Sequence, residues 1–282
     1  MHIFNGNADL IGYLKSITTP LSTIGFVPTM GALHQGHLSL MQESLSENDI
    51  TVVSIFVNPT QFNNPEDLAK YPRTLDDDVQ KIAVLDANII VFAPGIDAIY
   101  NGNATSDFFD FDDLENQMEG KFRPGHFNGV GTIVKRLFEI VKPTIAYFGE
   151  KDFQQLQIVK KLVAKYNMEV IIKGCPILRE ANNLAMSSRN ALLSSQEKQE
   201  ASIIYKTLVT SKKKFEKESA LAITKWVEKS FEKNPIFKLD YFQIADEKTL
   251  LACNRKNKAK KYRAFIAVFV NNIRLIDTIP LN

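Results

Sequence analysis

Two histidines three residues apart, His34 and His37 in the run Pro28-Thr29-Met30-Gly31-Ala32-Leu33-His34-Gln35-Gly36-His37, are of a type and spacing suited to phosphate chemistry. An apolar run (residues 24–27) leads in and an amphipathic one (residues 38–45) leads out, so the pattern predicts strand, tight loop and helix. The first turn of such a helix presents unpaired N–H groups and a partial positive charge, which favour anions. The imidazoles add donors and, when protonated, charge. An ordinary strand-to-helix loop with two surface histidines has the same local pattern.

Four further segments carry candidate groups. In Phe56-Val57-Asn58-Pro59-Thr60-Gln61-Phe62, Asn58 and Gln61 can donate and accept at once, which suits a ligand with hydroxyl and carboxylate groups; an Asn-Pro turn ending a strand is the plainer reading. In Gly120-Lys121-Phe122-Arg123-Pro124-Gly125-His126-Phe127, Arg123 and His126 are possible anion contacts on a loop. In Phe148-Gly149-Glu150-Lys151-Asp152-Phe153-Gln154-Gln155, Gly149 permits close backbone approach and Lys151 is a flexible point charge. Asp152 caps a helix or touches a ligand, with Gln155 about one turn on. In Leu184-Ala185-Met186-Ser187-Ser188-Arg189-Asn190, two hydroxyls beside an arginine resemble an anion clamp, or a serine-rich linker. Asp76-Asp77-Asp78 opens a helix, where carboxylates suit the dipole; capping is preferred there to a Mg²⁺ site.

The elements that must position these groups alternate. Strands are expected at residues 24–28, 51–57, 89–92, 145–148 and 169–173, and helices at 38–45, 75–85, 129–141 and 153–166. This alternation predicts a doubly wound α/β fold with a parallel sheet, ligands lying at the carboxyl ends of the strands. Past residue 175 the character changes. Lys- and Glu-rich helices at 195–217 and 220–233, then strands at 239–244 and 263–270, imply a smaller α+β domain. The division expected is 1–175 and 176–282.

A hydrophobic content of 45% and a net charge of +2 fit a soluble globular chain and give no electrostatic case for nucleic acid. The basic run at residues 255–263 reads as a solvated loop. Two distant cysteines, Cys175 and Cys253, support neither a disulfide framework nor a zinc site. No signal peptide or membrane-length apolar stretch is visible, so a cytoplasmic location is expected.

Taken in order, VPTMGALHQGH, FVNPTQF, YPRT, FRPGHFNGV, YFGEKDFQQL and LAMSSRN resemble the pantothenate synthetase (pantoate–β-alanine ligase) family, in the nucleotidyltransferase-like superfamily with its HxGH motif. The closing YRAFIAVFVNNIRLID looks like that family's last strands, so the resemblance covers almost the whole chain. It implies a Rossmann-like domain with a smaller C-terminal lid and a homodimer. The reaction it implies joins pantoate to β-alanine through pantoyl adenylate, with ATP as co-substrate and Mg²⁺ bound mainly through the phosphates. By the same resemblance, His34, His37 and Lys151 are catalytic, and the ATP site draws on Met30, Gly31, Ala32, Leu33, Gln35, Gly36, Gly149, Glu150, Asp152, Leu178, Met186, Ser187, Ser188 and Arg189. Gln61 and Gln155, with Asn58, Arg123 and His126 nearby, are expected at the pantoate and β-alanine site. Neither a nucleic acid nor a membrane partner is implied. Two departures stand out: Asn182-Asn183 replaces the family's usual Asp-Gly, and Asn63 replaces a Gly. Asn is the next most permissive residue after Gly, so the turn should survive.

Overall fold

Short runs rich in Val, Ile and Phe form the strands of the first part of the chain, and the amphipathic stretches between them form its helices. A computed structural model describes residues 1–232 and 234–282. In order, the chain forms β1 (His2–Phe4), α1 (Asn7–Ile17), β2 (Ile24–Thr29), α2 (Gln35–Glu47), β3 (Ile50–Ile55), α3 (Pro65–Lys70) and α4 (Leu75–Leu85). Next come β4 (Ile90–Phe92), α5 (Ile96–Tyr100), α6 (Met118–Phe122), α7 (His126–Val141), β5 (Ile145–Gly149), α8 (Phe153–Lys165) and β6 (Ile171–Cys175). The remainder is α9 (Ser195–Glu200), α10 (Ser202–Phe215), α11 (Ala220–Glu232), β7 (Phe237–Asp246), β8 (Tyr262–Val270) and β9 (Ile273–Pro280). Two compact units result: Met1–Gly149 with Gln155–Cys175, and Glu150–Gln154 with Pro176–Asn282.

The first unit holds a six-stranded parallel sheet in the order β1-β4-β3-β2-β5-β6. The direction of winding reverses between β2 and β5, so the carboxyl ends of those neighbours, Thr29 and Gly149, flank the switch point where such folds bind ligands. Val27, Val53 and Val91 from the sheet pack with Leu40, Met41 and Ile82 from α2 and α4, and each such burial contributes about 1.5–3 kcal/mol. Helix α7 buries residues around much of its circumference, Val130, Val134, Leu137 and Val141 among them. Its start abuts the loop after β3: a Cβ on Gly129 would fall 2.3 Å from the Thr60 carbonyl oxygen, so Gly129→Ala would force the two apart.

The second unit is an antiparallel sheet, β7-β8-β9, with Ile204 and Leu208 of α10 and Ile223 and Val227 of α11 in its core. The expected α/β sheet with a smaller α+β part is therefore present, and several details differ from expectation. Strand β6 begins at Ile171 instead of 169, because the Val170 N–H closes a local turn onto Met168 while the Ile171 N–H is the first to reach Thr144. The single helix expected at 195–217 is two, divided at the buried Ala201, whose N–H bonds to Glu197. Strand β1 and helices α1, α3, α5 and α6 were not anticipated, while β9 answers to the second of the closing strands that the family resemblance implied. The end of the helix expected at 220–233 lies outside the described residues at 233. Among the described residues, no helix is long and apolar enough to cross a membrane.

Candidate active site

The histidine loop leaves β2 and opens α2. His34 is the N-cap: its Nδ1 accepts the Gly36 N–H at 3.1 Å. The His34 N–H in turn points at the Nδ1 of His37, at a longer 3.4 Å. With both Nδ1 atoms accepting, each ring carries its hydrogen on Nε2, and the rings lie 4.0 Å apart between centroids. The backbone upstream is just as fully engaged. Asp78 of α4 accepts the Leu33 N–H at 2.7 Å and the Ala32 N–H at 2.9 Å. The N–H groups expected to meet a phosphate at this helix start are thus largely used within the protein. Beyond the backbone, the loop carries two imidazoles held on one frame.

A second cluster in the same unit is built around Gln61, on the short helical turn Pro59–Gln61 after β3. Asn58 is 1% exposed, and both ends of its amide are occupied. Its Nδ2 donates to Gln61 Oε1 and to the Gly129 carbonyl, while its Oδ1 accepts from Thr60 and Tyr100. Burial pushes the Tyr100 phenol up, keeping it a donor. Gln61 Nε2 lies 2.8 Å from Met30 Sδ. Arg123 and the His126 Nδ1–H both donate to the Gln61 backbone carbonyl, at 3.3 and 2.8 Å. Both residues thus brace the Gln61 backbone through one donor each. Gln155, in the first turn of α8, is partly exposed.

In the second unit, the turn Glu150–Asp152 is 3-10 helical and runs straight into α8, which places Asp152 immediately before the first residue of that helix, Phe153. Glu150 pairs with Arg263 of β8 at 3.1 Å, and Arg263 also binds Glu247 at 2.9 Å and stacks 3.9 Å over the Phe153 ring. Lys151 is 18% exposed, with Asp152 3.5 Å from its Nζ.

Residues 178–186 form a small hairpin in the same unit: the Met186 N–H bonds to the Leu178 carbonyl, and Arg179 pairs with Ala185. Ser187 then caps the 3-10 turn Ser188–Leu192 by accepting the Arg189 N–H at 3.3 Å. The buried Asn190 ties this turn back to Glu180 and to the Ala185 carbonyl. An unstructured linker is excluded for this segment. Beneath it, Arg179 makes a two-pronged pair with the buried Asp277, at 2.7 and 2.9 Å, and stacks 3.9 Å over Tyr205. Burial raises the Asp277 carboxyl and Arg179 pulls it back.

The residue that sequence reasoning missed in the first unit is Asp78; Asp76 and Asp77 beside it are exposed, whereas Asp78 is wholly buried. Capping, expected for the whole run, does not describe it, since its carboxylate reaches a different loop. A period of 3.6 residues in α4 shows that one of the three must face inward, and that is the signal that was available.

A family model described as pantoate-beta-alanine ligase matches residues 2–280. The chain is 65% identical over 281 residues to the pantothenate synthetase of Flavobacterium psychrophilum and 52% identical over 282 residues to that of Christiangramia forsetii, with 100% of both chains covered in each case. The solved pantothenate synthetase from Thermus thermophilus matches with a TM-score of 0.90 at 35% identity, over 100% of this chain and 99% of that one. A pantoate-beta-alanine ligase from Francisella tularensis, solved in complex with beta-gamma ATP and beta-alanine, matches with a TM-score of 0.79 at 35% identity, over 100% and 98% of the two chains.

Proposed function

The chain belongs to the pantoate–β-alanine ligase family, and on that premise we propose how its residues divide the reaction. The enzyme condenses pantoate with β-alanine using ATP, by way of pantoyl adenylate, and releases AMP and pyrophosphate. In the first step a pantoate carboxylate oxygen bonds to the α-phosphorus of ATP as the bond to pyrophosphate breaks. In the second, the β-alanine nitrogen bonds to the activated carbonyl carbon and AMP departs.

The observation that carries the assignment of the first step is the His34–His37 arrangement. Both Nδ1 atoms accept within the loop, which orients two Nε2–H donors on a fixed frame. Donors fixed in advance stabilise charge that develops on phosphate oxygens without reorganising when it does. Lys151 takes the β- and γ-phosphates or the departing pyrophosphate as a point charge. Ser187, Ser188 and Arg189 add donors to the triphosphate. Met30, Gly31, Ala32, Leu33, Gln35, Gly36, Gly149, Glu150, Asp152, Leu178 and Met186 frame the nucleotide. Gln61 holds pantoate with Gln155, its amide set by Asn58; Arg123 and His126 keep the Gln61 backbone in place.

Among the described residues no cluster of three or more His, Cys, Asp or Glu is placed to hold a metal ion, and Asp78 already has a backbone partner on each oxygen. By the family resemblance, Mg²⁺ is assigned to the ATP phosphates, where it would offset their charge. Both cysteines are free and buried, in keeping with a reducing cytoplasm, and the homodimer implied by the family resemblance is open to light scattering.

The test is pantoate-dependent exchange of labelled pyrophosphate into ATP without β-alanine. Exchange is expected, and none from folded protein with Mg²⁺ would overturn the adenylate route. His37→Ala and Lys151→Ala should each lower it about a hundredfold. If both match the parent, the residue assignment is wrong.

A further inference from the structure

We infer that Asp78 is a positioning residue for adenylation, holding the histidine loop in a conformation it would not keep unaided; this rests on the reading of the loop given above. Gly31 and Ala32 both have positive φ, 84° and 49°. The successive N–H groups of Ala32 and Leu33 converge on an anion that belongs to the chain itself. Oδ1 of Asp78 accepts the Leu33 N–H at 2.7 Å, while Oδ2 accepts the Ala32 N–H at 2.9 Å and the Thr74 hydroxyl at 3.1 Å. The carboxylate is 0% exposed, and a Cβ on Gly31 would come within 3.1 Å of Oδ2. From one turn further along α4, Lys81 donates to the Leu33 carbonyl at 2.9 Å, so the peptide units around Leu33 are gripped on both sides.

A non-glycine residue at positive φ is strained, and Ala32 has no polar side chain to relieve it. Charge-assisted hydrogen bonds from two consecutive N–H groups oppose that strain. The next residue is His34, the N-cap on which both imidazoles depend. A loop released from Asp78 displaces both Nε2–H donors together, while Asn58 and its bonds to Gln61 stand on a different loop. The step that suffers is attack at the α-phosphorus. Pantoate binding and capture of the preformed adenylate by β-alanine also touch this loop, through Met30 beside Gln61 and through the nucleotide frame, but neither needs donors aimed at charge developing on the α-phosphate, so both should suffer less.

Asp78→Asn keeps the shape but removes the charge and puts an NH₂ against one loop N–H. Losing a hydrogen bond to a charged group corresponds to about thirtyfold in rate. The expected result is a pyrophosphate-exchange kcat about thirtyfold down, with the KM for pantoate and the rate of β-alanine capture of supplied pantoyl adenylate each within about threefold. A purely structural defect would depress both half-reactions alike. Equal losses, or exchange at the parental rate, overturn the inference. If the variant does not fold, Thr74→Val decides: it removes one donor to the carboxylate and should lower exchange about threefold with capture unchanged, and parental exchange there overturns the inference. A parent enzyme that does not exchange overturns the functional reading instead.

Discussion

The loop of residues 30–37 and the turn of residues 149–152 both carry side chains assigned to ATP, and they are anchored in opposite senses. In the first, a buried carboxylate gathers backbone N–H groups, and the imidazoles use one nitrogen each to lock themselves. In the second, the buried guanidinium of Arg263 gathers carboxylates, Glu150 and Glu247, and the Lys151 ammonium is paired with its sequence neighbour Asp152 at 3.5 Å. The difference matches the demands on each. Donors to a reacting phosphate gain from rigidity, since a small misplacement is costly. A cation that accompanies a departing group gains from a flexible stem, which lysine has.

The largest effect expected from this contrast comes from removing the cation that faces a buried carboxylate in the second unit. Arg179 faces Asp277, whose side chain is 2% exposed. Arg179→Met leaves that carboxylate uncompensated and should cost about 3–5 kcal/mol in urea melts near neutral pH. A pH signature separates this from lost packing. Burial raises the Asp277 carboxyl, so in the aspartate range the folded protein binds more protons than the unfolded chain. This group's contribution is therefore fully present below the ordinary aspartate pKa and is lost as pH rises through the raised value. Without Arg179 to pull it back, the loss should grow and extend to higher pH, so the variant should recover part of its deficit near about pH 4. A deficit that does not change with pH would mean that packing against Tyr205 is what the arginine supplies.

How far this contrast could be read from sequence differs between its halves. The histidine loop, the turn after β5 and the polar segment around Ser187 were all located by their own residues and neighbouring apolar runs, because those signals are local, whereas the hairpin of residues 178–186 was not foreseen. Nor were the anchors. Asp78 binds Leu33 from 45 residues away, and the Arg263–Glu150 pair spans 113. Which of three consecutive aspartates faces inward depends on how α4 sits on the sheet, and a run of acids at a helix start is fully accounted for by the helix dipole. Strand β1, only three residues long, has no periodicity to detect. Arg123 and His126 were recognised as polar groups on a loop, but one partner they share is a backbone carbonyl, which no side-chain pattern announces.

The rigid half can be tested by separating the two jobs of His34. Asparagine is a good N-cap, so His34→Asn keeps an acceptor for the Gly36 N–H, whereas His34→Ala loses it. Thermal unfolding should place the Asn variant within about 0.5 kcal/mol of the parent and the Ala variant about 1 kcal/mol lower. In pyrophosphate exchange the two should be equally poor, down about a hundredfold or ~2.7 kcal/mol, because both lack the imidazole donor. Should Asn restore exchange, the imidazole serves as a cap alone and Lys151 must carry more of the phosphate charge.

The smallest effect should come at the place where the chain departs from its family. Asn183 has φ 71°, the left-handed conformation for which glycine is the usual choice, so the turn has survived the replacement. Its carbonyl, not its side chain, accepts from Arg179 at 3.1 Å. The neighbouring Asn182 supplies through its Oδ1 an acceptor for the Leu184 N–H that an aspartate could equally provide, and its Nδ2 adds a bond to the Lys198 carbonyl that an aspartate could not. The pair is therefore a rebuilt turn with the same backbone path. Asn183→Gly relieves a mild strain and loosens the unfolded chain, effects of opposite sign and each below about 1 kcal/mol. The kcat should change less than tenfold, ~1.4 kcal/mol, with the Arg179–Asp277 pair intact. A larger fall in kcat without loss of stability would place the Asn183 side chain itself in the working cycle of the Met186–Arg189 segment, and would make the second unit's half of the contrast depend on more than Arg179 and Arg263.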